Sequence, residues 1–101
     1  MKIIVKRVNQ PPEMVEVEDK LETYQKIVGG YIETVPLPLA PQILMVVNEE
    51  GLIIDLPINF MMGKTPICGD AFFCGVDGEN FADCPLMEAQ VRALLKIWGN
   101  K

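Results

Sequence analysis

At 101 residues, half of them apolar and about a quarter charged, the chain suits one globular domain with a modest core. Nine basic against fourteen acidic side chains leave a net charge of −5. That balance is poorly suited to neutralising phosphates, so nucleic-acid binding is not expected, and the carboxylates are too sparse for a DNA mimic. No apolar run approaches a membrane span, and the apolar part of Met1–Arg7 is too short for a signal peptide, so a cytoplasmic location without membrane contact is expected.

In chain order, Ile3-Ile4-Val5 between Lys2 and Lys6 reads as a first strand, ended by Asn9-Gln10-Pro11-Pro12. Met14-Val15-Glu16-Val17-Glu18 interleaves apolar and acidic residues, as a second strand with one wet face would. Leu21, Tyr24, Ile27 and Val28 recur at helical spacing, with Glu18-Asp19 placed to cap the helix start. Gly29-Gly30 then stops the helix. Glycines that follow a helix act as a C-cap, whereas a phosphate loop needs them before one, so a P-loop is rejected. Tyr31 to Val35 reads as a strand, and the three prolines in Pro36-Leu37-Pro38-Leu39-Ala40-Pro41 interrupt pairing.

Gln42 to Val47 is a strong β run, Asn48-Glu49-Glu50-Gly51 its turn, and Leu52-Ile53-Ile54 the expected returning strand. The paired glutamates suit a solvated turn tip better than acid–base chemistry. Leu56, Ile58, Phe60, Met61 and Met62 make an apolar, Met-rich segment that either tucks under the sheet or adapts to a partner. Pro66 to Val76 is a long β candidate with Gly69 and Gly75 as bulge positions, closed by the turn Asp77-Gly78. Asp83 or Cys84 would cap a last helix with Pro85 in its first turn. Its stripe is Met87, Val91, Leu94, Leu95 and Trp98, and Gly99 ends it. The fold expected is α+β: a mostly antiparallel sheet of five or six strands carrying two short amphipathic helices, in the order β-β-α-β-β-β-β-α.

Cys68, Cys74 and Cys84 are odd in number, form no C-x-x-C pair and have no histidine beside them. No metal site is legible, and all three read as reduced, buried small hydrophobes.

Three segments, Val28-Gly29-Gly30-Tyr31-Ile32-Glu33, Val47-Asn48-Glu49-Glu50-Gly51 and Val76-Asp77-Gly78-Glu79-Asn80-Phe81, followed by a final helix, carry a resemblance. The chain resembles an uncharacterised family of small proteins of bacteriophages, plasmids and conjugative elements, described as a domain of unknown function. The resemblance spans most of the chain. It implies a small α+β fold in a bacterial host cell and supplies no catalytic residues. Variation within the family is expected at Pro36–Pro41 and Leu56–Met62.

Three functional expectations follow. A non-catalytic accessory protein that binds a host protein needs no histidine, metal, cofactor or activated nucleophile, and Phe60, Met61 and Met62 are its candidate contacts. A nucleotide-signal binder would build its pocket at a homo-oligomer interface from Gly29, Gly30, Tyr31, Lys64, Arg92 and Lys96. An enzyme would have to rely on Asp/Glu pairs, Cys or Lys, and no triad is legible.

Overall fold

A computed structural model describes residues 1–38 and 40–99. The strands are β1 (Lys2–Lys6), β2 (Glu13–Glu16), β3 (Ile32–Leu37), β4 (Ala40–Asn48), β5 (Ile58–Met62), β6 (Thr65–Cys68), β7 (Ala71–Asp77) and β8 (Asn80–Ala82). The helices are α1 (Leu21–Val28), between β2 and β3, and α2 (Glu88–Gly99), after β8. This is the expected α+β architecture. The main sheet is antiparallel with order β2-β1-β7-β4-β3, and β8 pairs with β7 next to β1, while β5 and β6 form a separate hairpin.

The two helices lie on opposite faces of the sheet. Along β7 the side chains alternate, with Phe72 and Cys74 facing α1 and Ala71 and Phe73 facing α2. Strands β1 and β4 split in the same way, which is why their sequences read as unbroken apolar runs. On one face Tyr24 and Val28 of α1 pack on Ile3, Val5, Val46 and Phe72. On the other, Val91, Leu94, Leu95 and Trp98 of α2, together with the β5–β6 hairpin, cover Ile4, Met45 and Phe73. Trp98 stacks on Phe60 at 6.1 Å and on Phe73 at 6.3 Å, joining hairpin, helix and sheet.

Helix α1 ends as its glycines require. Gly29 takes φ +80°, a conformation that costs a side-chain-bearing residue roughly 1–2 kcal/mol, and its N–H donates to Gln25 O at 2.8 Å. Its start differs from expectation: Lys20 is the N-cap without a side-chain bond. Asp19 instead accepts the Tyr24 hydroxyl, and Glu18 pairs with Lys20 at 3.1 Å in solvent.

Leu52-Ile53-Ile54 is not a strand. Strand β4 already pairs with β3 on one side and β7 on the other, so no edge is left for a returning partner. The turn itself is as read: Asn48 Oδ1 accepts Glu50 N–H at 2.7 Å, and Gly51 N–H donates to Asn48 O at 3.3 Å. The prolines interrupt less than expected, since β3 runs through Pro36 and β4 contains Pro41. Tyr31 O accepts Glu49 N–H at 2.9 Å, and the register pairs Ile32 with Asn48 and Glu33 with Val47. In an antiparallel ladder the odd-numbered residues of β3 therefore bond β4, and Ile32, Thr34 and Pro36 point their backbone groups outward. The N–H missing from Pro36 is one that the ladder does not use. Leu39, within the proline segment, lies outside the described residues.

The stretch from Pro66 to Val76 is two strands, because the chain turns at Gly69, whose N–H donates to Pro57 O at 2.8 Å. Asn80–Ala82, unassigned in the sequence, returns along β7 after the Asp77-Gly78 turn. Asp83, Cys84 and Pro85 do not cap α2. Asp83 Oδ1 accepts Lys2 N–H at 2.9 Å and Cys84 N–H donates to Lys2 O at 2.8 Å, which ties this segment to β1. The helix begins at Glu88, with Gln90 Oε1 accepting Met87 N–H at 2.8 Å. Met87 precedes the helical turns and stands 68% exposed, outside the stripe.

Candidate functional site

The first two family-like segments interlock. Asn48, 6% exposed at the end of β4, donates from Nδ2 to Val28 O at 3.1 Å, joining the last turn of α1 to the turn after β4. That turn continues as a loop held by its own backbone. Ile54 N–H donates to Glu50 O and Leu56 N–H to Gly51 O, both at 2.9 Å, and Asp55 takes φ +61°. Gly51 sits against β6 so closely that a Cβ there would lie 2.7 Å from Cys68 O. The result is a fixed loop whose aliphatic side chains stand largely in solvent. Leu52, Ile53 and Ile54 are 69%, 81% and 51% exposed, and Tyr31 beside them is 67% exposed. Exposed Glu33, Glu49, Glu50 and Asp55 lie close to them in the chain or the β3–β4 ladder.

The residues singled out in the sequence fall in separate places. Gly29, Gly30 and Tyr31 line a shallow depression with Gln25, Asn48, Glu50 and Ile54, on the α1 side of the sheet. Phe60 and Met62 pack into the α2-side core, while Met61 faces solvent. Lys64 lies in the β5–β6 turn, which is fastened to α2 by Gly63 N–H donating to Trp98 O at 3.2 Å. Arg92 and Lys96 are exposed one turn apart on α2. Within one chain the sheet thus separates the glycine pair from the three cations. Arg92 does share a groove with Arg7, Gln10, Pro12, Glu13 and Glu88, in which Arg7 pairs with Glu13 at 3.5 Å.

Two features were not legible in the sequence. One is the exposed aliphatic loop, since Leu-Ile-Ile after a turn carries the signature of a strand. The other is a polar knot around buried Lys6. Its Nζ donates to Arg7 O at 2.7 Å and to Asn59 Oδ1 at 2.8 Å, and Asn59 Nδ2 donates to Lys6 O at 2.6 Å and Gly69 O at 2.9 Å. Burial pulls the Lys6 ammonium below its usual range, and the Asp70 carboxylate partly restores it. The knot pins β5 to β1, and its donors and acceptors are used internally.

The three thiols are buried and unpaired with one another. Burial above all, then the neighbouring Cys84 and Asp19, pushes Cys74 up to about 12, and burial raises Cys84 as well. Such thiols are poor nucleophiles at neutral pH. Among the described residues no group of three or more His, Cys, Asp or Glu side chains is placed to hold a metal, and no helix is long and apolar enough to cross a membrane.

The arrangement defines an α+β protein whose most distinctive surface is a rigidly held aliphatic loop with carboxylates nearby. The chain belongs to the family described as domain of unknown function DUF3846, whose model matches residues 1–98. No curated protein and no solved structure matches it.

Proposed function

We propose that this is a non-catalytic accessory protein of a phage or mobile genetic element that acts in the bacterial cytoplasm by binding a host protein. One observation carries the reading: three consecutive aliphatic side chains, Leu52, Ile53 and Ile54, stand mostly in water on a loop whose backbone is already fixed. Fully burying each contributes about 1.5–3 kcal/mol, and a loop ordered beforehand loses little entropy on docking. The mobile-element setting is supported by the resemblance of the three motif segments. The contact surface is thus moved from Phe60 and Met62, which pack inward, to the loop beside Tyr31, with Met61 as an outlying contact.

The test is capture of a host protein, its purification, and titration against the wild-type chain and Ile53→Asp. Loss of binding with retained folding supports the loop; unchanged affinity removes it.

A second reading, a binder of a small nucleotide signal, is favoured by Arg7 and Arg92 lining one groove. A cyclic or linear nucleotide at a hundredfold its Kd adds about 2.7 kcal/mol of stability. That gain should disappear in Arg92→Ala.

A further inference from the structure

We propose that the open edge of β3 is a strand-addition site for an extended peptide segment that carries a Lys or Arg two residues from an aliphatic residue, so that both fall on one face of the strand. The inference goes beyond the Ile53 loop, with which it shares Leu52 but neither Ile53 nor Ile54. Three observations converge. The register set by Tyr31 O and Glu49 N–H turns the N–H and C=O groups of Ile32 and Thr34 outward, and among the described residues no other backbone or side-chain group bonds those amides. Pro36 offers only its carbonyl, so it limits the addition to the Ile32–Thr34 stretch.

Beside this edge, on the α2 face, runs a groove between the sheet and the β5–β6 hairpin, of about 210 Å³. Its walls include Val35, Leu52, Met62 and Ile67, and Glu33 and Glu49 also line it. An added strand projects every second side chain toward that face, so aliphatic residues meet the groove and a basic residue meets the two carboxylates. The backbone bonds supply affinity, and the groove and its charge supply selectivity. A second copy of this chain is a poor occupant. Antiparallel pairing of two β3 edges about Glu33 sets the two carboxylates directly opposite, between molecules that each carry a net charge of −5.

The experiment is selection of a randomised dodecapeptide library on the immobilised full chain, followed by amide hydrogen exchange with the selected peptide. The expected peptides place a basic residue two positions from an aliphatic one, and they slow exchange at Ile32 and Thr34 by about tenfold or more. Thr34→Pro, at the same outward parity as Pro36, should abolish binding. Glu33→Lys should weaken it at least about tenfold, a charge change that leaves the ladder intact. Ile53→Asp should leave it within about twofold, which separates this site from the loop. If Thr34→Pro does not fold, Glu33→Lys and the exchange pattern decide. Selection of no peptide above background overturns the inference. So does protection placed on the Leu52–Ile54 loop instead of β3, affinity indifferent to Glu33→Lys, or concentration-dependent protection of β3 in the free protein.

Discussion

Removing the Asn48 side chain as Asn48→Ala tests whether the loop is held in place or merely rests there. Asn48 makes two side-chain hydrogen bonds, to Val28 O at 3.1 Å and from Glu50 N–H at 2.7 Å, at a position only 6% exposed. Two neutral bonds contribute about 1 kcal/mol each. The partners left behind add a further desolvation cost, limited because the depression by Gly29 and Tyr31 lets water reach them. The expected loss is about 2–3 kcal/mol, or on the order of 10–20 °C in Tm for a chain of this size. Urea titration followed by fluorescence of Trp98, stacked between Phe60 and Phe73, reads this directly. Hydrogen exchange should show the amides of Ile54 and Leu56 losing protection before those of β7. A stability loss below about 0.5 kcal/mol, with loop protection intact, would refute the reasoning, because the loop would then owe its order to something other than Asn48.

Further outcomes follow from the same structure. Gly51→Ala should cost about 1–3 kcal/mol by thermal denaturation, since its Cβ meets the backbone oxygen of Cys68 at 2.7 Å. Leu94→Ala should fall near the lower end of the range of about 2–5 kcal/mol, because Leu94 is half-buried on α2. Cys74 makes stability fall in alkali. Its folded value is raised from 9.0 to about 12, so the native state keeps a proton that the unfolded chain has lost. Its contribution is complete below pH 9 and drains away as pH rises toward 12, at about 1.4 kcal/mol per pH unit, while Lys6, shifted downward, acts in the opposite sense. Urea midpoints from pH 8 upward should therefore decline more steeply in the wild type than in Cys74→Ala; parallel slopes would contradict the assignment.

Local chemistry was legible and long-range pairing was not. The α1 stripe of Tyr24, Ile27 and Val28, the glycine stop at Gly29 and the turn at Asn48-Glu49-Glu50-Gly51 are set by residues within a few positions of one another, and the structure has them where the sequence implies, whereas Leu21, at the helix start, stands 52% exposed outside the stripe. Leu52-Ile53-Ile54 has the propensity of a strand but not its partner, because the neighbours of β4 come from before it and well after it in the chain. Pro36 and Pro41 read as stops because their position relative to the ladder is invisible until register is known. Glu18, Asp19 and Asp83 carry the composition of helix caps but bond elsewhere, Asp83 to Lys2 across almost the whole chain. The candidate surface was hidden for the same reason as the pairing: a loop can be recognised as exposed only once both edges of β4 are known to be occupied.

Binding through a preformed aliphatic loop is tested most directly by calorimetric titration of the purified host partner with wild type and Ile53→Asp. Buried at an interface centre, Ile53 should be worth about 2 kcal/mol or more, so its replacement by Asp should weaken binding about thirtyfold or beyond while Tm stays within about 2 °C. Equal affinity for the two proteins would contradict the account.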